Sequence, residues 1–239
     1  MTDHPERNKV ADAVHAIQER MQAACRRSGR DPAQVRLLAV SKQQPADRVQ
    51  AAVAAGHRFF GENRVQEARD KMALVSGTDV QWHLIGPLQR NKARLAASLF
   101  QMIHSVDSLA LAQQLSACRS VDGATPPSPL PVLMQVNIGL EPQKQGVAPE
   151  EAPALARAVA ALPGIALRGL MAIPPQTATA AAARPYFRAL AALARKIEGQ
   201  NIPNLSMQEL SMGMSHDFEI AIEEGATWVR VGSALFGER

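Results

Sequence analysis

Cysteine occurs only twice in the 239 residues, as Cys25 and Cys118. The two are far apart and have no second Cys or His at ligand spacing, so neither a disulfide framework nor a thiolate metal site is expected. Aromatic residues make up 4% of the chain. None interleaves with the densest basic cluster, Arg26, Arg27 and Arg30, which therefore lacks the stacking surfaces of a nucleic-acid groove. That cluster lies where a helix ends and where cations complement the helix dipole. No apolar run reaches the roughly 18 residues of a membrane span, and the polar start at Met1 to Arg7 has no signal-peptide core. These absences lead us to expect a cytoplasmic protein with neither membrane nor nucleic acid among its partners. No G-x-G-x-x-G follows the first strand, which counts against a dinucleotide-binding Rossmann domain.

What is present is a regular alternation. The chain is 46% apolar, carries a net charge of +4 and is rich in alanine, as expected of a helix-rich globular protein. A helical pattern over 8–28 places Val10, Val14, Ile17 and Met21 on one stripe and ends at Gly29. Strands are then expected over 35–41, 58–61, 80–85, 101–105, 131–137, 165–172, 206–211 and 227–231. Helices are expected over 46–55, 63–75, 90–99, 107–119, 149–161, 180–198, 215–224 and from Ser233 onward. Eight strand–helix units preceded by one extra helix fit a closed (β/α)8 TIM barrel of class α/β better than an open doubly wound sheet. The Pro-rich stretch 125–129 reads as a long loop because both its flanks share the same rhythm. One domain over 1–239 is therefore expected.

In such a barrel the chemistry gathers at the carboxyl ends of the strands. The first strand ends abruptly in Lys42, followed by Gln43, Gln44 and Pro45. On spacing alone, two readings of that amine stand open: an ion pair with a carboxylate such as Glu62, or a desolvated nucleophile able to form a Schiff base with a carbonyl. The segments Ser211 to Ser215 and Gly232 to Gly237 supply small residues, hydroxyls and backbone N–H groups after the last two strands, where barrels of this kind hold phosphate. Ser215 and Ser233 also read as helix caps. Arg230, flanked by valines, must find a partner. Facing a pyridine nitrogen, it would leave that nitrogen unprotonated and the ring a poor electron sink.

The segments Leu37 to Lys42 with Pro45, Phe60 to Asn63, Trp82 to Gln89 with Asn91 and Lys92, His104 to Ser108, Arg168 to Met171, Leu210 to Ser215 and Val229 to Gly237 together resemble the pyridoxal phosphate homeostasis proteins. The resemblance runs in order along nearly the whole chain. It implies a barrel like the amino-terminal domain of alanine racemase, with pyridoxal 5′-phosphate (PLP) held as a Schiff base on Lys42. It further implies Arg230 at the pyridine nitrogen, Ser211, Gly232 and Ser233 around the phosphate, Met214 and Ser215 close by, and Asn63 near the phenolic oxygen. Two departures stand out: Arg64 where many relatives have tyrosine, and His216 where an acidic or small residue is common.

The function implied is a carrier and buffer of PLP that catalyses nothing itself, with apo forms of PLP-dependent enzymes as candidate recipients. An amino-acid racemase on the same barrel is the competing reading. It requires a second base, a tyrosine from a separate β domain, whereas this sequence stops soon after its eighth unit and has a single tyrosine, Tyr186, in an Ala-rich helix. Without that domain's dimer contact a monomer is expected. A Schiff-base aldolase would need an acid–base partner near the lysine, for which Glu62 and His83 are the candidates.

Overall fold

The computed structural model describes residues 5–77, 79–119 and 128–237. Helix α1 (Pro5–Ser28) precedes β1 (Arg36–Val40), α2 (Ala46–Ala54), β2 (Phe59–Glu62), α3 (Val65–Met72), β3 (Gln81–Leu84), α4 (Ala93–Leu99), β4 (Met102–Val106) and α5 (Leu109–Arg119). There follow β5 (Leu130–Gln135), α6 (Ala152–Ala160), β6 (Ile165–Met171), α7 (Arg184–Glu198), β7 (Glu209–Met214), α8 (Phe218–Glu223), β8 (Trp228–Val231) and α9 (Ser233–Phe236). The strands are parallel and close in sequence order, β8 pairing back to β1 with Leu38 opposite Arg230. The expected (β/α)8 TIM barrel with an additional amino-terminal helix is thus observed. The Pro-rich stretch assigned to a loop falls at 125–127 outside the described residues.

Outward strand residues such as Leu37, Ala39, Phe60 and Val229 join the inner faces of the helices in one large apolar core. Inside the barrel, Met102, Leu133 and Met171 form a small separate cluster. The barrel floor is closed by Arg36, whose guanidinium lies 4.1 Å from the Trp228 ring centroid and donates to the Glu209 carboxylate. Helix α1 packs beside α8, where Arg20 donates to Glu219 at 2.7 Å and Arg27 to Glu223 at 2.9 Å. Arg30 reaches past them to the Ile222 and Ala226 carbonyls. The basic cluster at the end of α1 therefore ties the extra helix onto the barrel.

The largest departure from the expected elements is β7, which runs to Met214 instead of ending at Ser211. Met214 pairs with Arg230 across a register shift that begins at Ser211. Gly213 sits in this irregular stretch at φ 88°, and a Cβ there would lie 2.5 Å from the Ala221 side chain and 2.9 Å from Phe218 Cα. Only glycine meets both demands. Among the described residues no helix is long and apolar enough to cross a membrane.

Candidate functional site

At the carboxyl ends of the strands lies a cleft of about 500 Å³, within the size range of small-ligand sites. Lys42 enters from the end of β1, Asn63 from the end of β2, Met214, Ser215 and His216 from the end of β7, Arg230 from β8, and Gly232 and Ser233 from the turn into α9. Ile85, Gly86 and Pro87 form one wall and Ile173 another. Gly86 is held against Asn63, whose backbone oxygen a Cβ would meet at 2.3 Å, so this contact sets where Asn63 stands. Ile173 and Met214 keep apolar surface exposed at the rim, as a planar ring ligand requires.

Seven of the eight residues expected at the site line this one cleft; Ser211 does not. The expectation that Ser211 helps to hold a phosphate is corrected by its position. It is fully buried three residues back inside the extended β7. Its hydroxyl is already engaged between Arg230 Nη1 at 2.8 Å and His104 Nδ1 at 2.9 Å. Arg230 also donates to the Ser211 carbonyl at 2.6 Å and the Ala172 carbonyl at 2.8 Å. Burial pulls its pKa down to about 10, with Asp217 acting in the opposite direction, so it remains a cation at neutral pH.

The Ser211 contact opens a chain of buried hydrogen bonds. His104 Nε2 stands 3.0 Å from His83 Nδ1, and β4 and β7 are not neighbours in the barrel, so the chain crosses its interior. Arg230 can only donate, so Ser211 Oγ accepts from it. When the Ser211 hydroxyl gives its own proton to His104 Nδ1, His104 Nε2 donates to His83 Nδ1 and the remaining His83 proton sits on Nε2. Both imidazoles are neutral, since burial lowers the pKa of His83 to about 3 and holds His104 well below the ordinary histidine value.

Ser215 and Ser233 were expected to be ordinary caps or phosphate ligands. The Ser215 hydroxyl lies 3.3 Å from Gly232 N and 3.4 Å from Ala234 N, while Asp217, at the start of α8, accepts from Met214 N at 2.7 Å. Ser215 thus sits at the start of α9 and not on its own helix. A cluster of hydroxyls and backbone donors results, of the kind that suits an anion.

Neither candidate for an acid–base partner of Lys42 lines the cleft. Glu62 is fully buried and accepts from Lys71 Nζ at 2.5 Å and from Ser41 Oγ at 2.7 Å. Glu62, the carboxylate named as an example of an ion-pair partner for Lys42, forms an ion pair with Lys71. His83 lies inside the barrel with its ring 4.7 Å from that of Trp228. Gln135, Lys144 and Gln145 line the cleft although the sequence did not single them out. Lys144 arrives on the loop after β5 and donates to the Pro174 carbonyl at 2.9 Å, while Asn137 braces that loop through Glu141. For Lys144 and Gln145 the polar run Glu141 to Gly146 was the only signal. Arg64, which departs from the common tyrosine, is exposed and lies outside this cleft, in a neighbouring groove with Gln89 and Lys92.

A parallel eight-stranded barrel whose cleft is lined by a strand-end lysine and a cluster of hydroxyls and backbone donors defines a class, and the family model for the alanine racemase amino-terminal domain matches residues 13–239. Within that class the chain belongs to the family of the pyridoxal phosphate homeostasis proteins. It is 50% identical over 230 residues to the pyridoxal phosphate homeostasis protein of Pseudomonas aeruginosa, covering 96% of each chain. PipY of Synechococcus elongatus PCC7942, solved with PLP bound, superimposes with a TM-score of 0.82 at 41% identity, over 95% of this chain and all of that one. Alanine racemase of Corynebacterium glutamicum shares the fold alone, with a TM-score of 0.66 at 19% identity over 96% of this chain and 61% of that one.

Proposed function

We propose that this chain binds PLP at the carboxyl end of its barrel, with Lys42 as the Schiff-base lysine, and serves as an intracellular carrier and buffer of the cofactor. The observation that carries this reading is the convergence of Lys42, Arg230 and the Ser215–Gly232–Ser233 cluster on one cleft. The donor set fits the group: an amine for the aldehyde, an amide at Asn63 for the phenolic oxygen, hydroxyls and backbone N–H groups for the phosphate, and apolar lips for the ring. Bound there, PLP supplies an electrophilic carbonyl carbon that an amine takes up reversibly.

The residues around the ring favour holding over turnover. Arg230 is a donor with no proton to spare, so a ring nitrogen facing it stays unprotonated. Glu62 and His83 are committed elsewhere. The single tyrosine, Tyr186, lies on α7 and does not line the cleft. The reading includes one domain over 1–239, a monomer in the cytoplasm, and delivery to apo forms of PLP-dependent enzymes.

Borohydride reduction of the PLP-loaded protein followed by peptide mapping tests the site. The pyridoxyl mass is expected on Lys42, and its appearance only elsewhere, or not at all, would overturn the assignment. Incubation with L-alanine is expected to yield no D-alanine. Sustained racemisation would refute the carrier reading.

A further inference from the structure

Beneath Lys42 lies a buried polar cluster that the cofactor reading leaves unused. Helix α3 carries Glu67 and Lys71 one turn apart, with Lys71 Nζ 3.3 Å from Glu67 Oε1. Lys71 is 6% exposed, deep enough that its ammonium must be fully engaged. It donates to Glu62 Oε1 and, at 2.6 Å, to the backbone carbonyl of Ser41. Glu62 in turn accepts from the Ser41 hydroxyl. On the far side of Lys42, the backbone N–H of Gln43 donates to Glu67 Oε1.

Gln43 has φ 60°, the left-handed region that a residue with a Cβ avoids unless its surroundings hold it there. The residue before Lys42 is thus held at its carbonyl and its hydroxyl, and the residue after it at its N–H. All three holding groups come from β2 and α3, the next unit of the barrel.

We propose that Lys71, Glu67 and Glu62 are positioning residues that bracket the two peptide units flanking Lys42 and so set the direction of its amine into the cleft. The bracket rests on the reading of Lys42 as the PLP-binding lysine. It adds that the aim of this lysine is set by the neighbouring βα unit through Lys71 and Glu67, where β1 has ended at Val40 and the Ser41 N–H donates to the Gly61 carbonyl of β2 at 3.0 Å. A strained turn held by charge-assisted hydrogen bonds keeps one conformation where an unrestrained loop would sample several.

Glu67 is the residue to vary, because its side chain is 27% exposed and the buried Lys71 ammonium keeps Glu62 and the Ser41 carbonyl as partners when it is replaced. Two measurements are made on Glu67→Ala and Glu67→Gln. One is hydrogen exchange at the Gln43 amide in the PLP-free protein, and the other is PLP retention on dialysis of the loaded protein. Glu67→Ala is expected to release the Gln43 amide to exchange and to weaken retention about tenfold, the size of one charge-assisted hydrogen bond. Glu67→Gln, whose amide oxygen still accepts from Gln43, is expected to restore both.

Protection of the Gln43 amide in Glu67→Ala would overturn the bracket, as would its release with unchanged retention. An equal loss in Glu67→Gln would assign the effect to charge alone and also overturn it. Failure of the PLP reading itself would show separately, as an absence of label on Lys42 in the unaltered protein.

Discussion

At the scale of the residue, Arg230 shows how one donor orders its surroundings. An always-donating guanidinium stands at one end of the chain Arg230–Ser211–His104–His83 and leaves the Ser211 hydroxyl proton to point along it towards His104. Nitrogen-15 NMR is expected to find both His83 and His104 neutral, with the proton on Nε2, across about pH 5 to 8; an Nδ1–H form of either would refute this order. Ser211→Ala removes the middle link and leaves His104 Nδ1 without its donor. A loss of about 1–3 kcal/mol is expected by chemical denaturation, since a buried acceptor then goes unpaired. At the rim of the cleft, Ser233→Asp sets a carboxylate against a bound phosphate. Weaker PLP retention with an unchanged unfolding midpoint is the expected result, and unchanged retention would remove Ser233 from the site. That Lys42, Asn63, Arg230, Gly232 and Ser233 line one cleft was legible in the sequence because each stands at or near the end of its strand. Ser211 was misplaced because a buried serine and a loop serine look alike until their partners are known.

At the scale of the element, β7 is the instructive case. Ser-Met-Gly-Met-Ser reads as a loop, since glycine weakens strands and small polar residues favour turns. The structure continues the strand through it because Met214 finds a partner in Arg230 on β8. Gly213 makes that continuation possible. Gly213→Ala is expected to destabilise by at least about 1 kcal/mol through its left-handed backbone alone, with the contacts at Ala221 and Phe218 adding to this. It should also lower PLP retention, because Met214 and Ser215 follow directly; a full-strength PLP site in a folded Gly213→Ala protein would contradict this account. The extra helix α1 was visible as an amphipathic stripe. Where it packs was not, because its docking depends on Arg20, Arg27 and Arg30 meeting α8 and its carboxyl end, roughly 190 residues later along the chain.

At the scale of the whole molecule, acid sensitivity follows from the buried imidazoles. His57 and His83 are depressed by burial to about 4 and about 3, whereas an unfolded histidine titrates near 6.5. As pH falls below about 6.5 the unfolded chain takes up protons that the folded one refuses. The contribution of these two residues is therefore complete above that pH and is lost progressively down to pH 4 and below. Glu62, raised by burial, acts in the opposite direction. The net expectation is an unfolding free energy that declines from pH 7 to pH 4, with a shallower slope in His57→Gln. A flat profile, or an unchanged slope in the variant, would refute it. Size-exclusion chromatography is expected to show a monomer of 25.7 kDa.

The sequence by itself determined the periodicities, and with them the barrel: eight alternations of strand and helix admit few closed arrangements, and right-handed βα crossovers select one. It also determined that a lysine, an arginine and two small-residue segments would stand at or near strand ends, because strand ends are local features. The tertiary structure alone decided which side chains become partners. That Lys71 pairs with Glu62, that Ser211 serves the barrel interior and not the cleft, and that Lys144 reaches the mouth from a distant loop all depend on barrel closure. Hydrogen bonds and ion pairs act over a few ångströms in space and carry no record of separation along the chain, so no local pattern announces them.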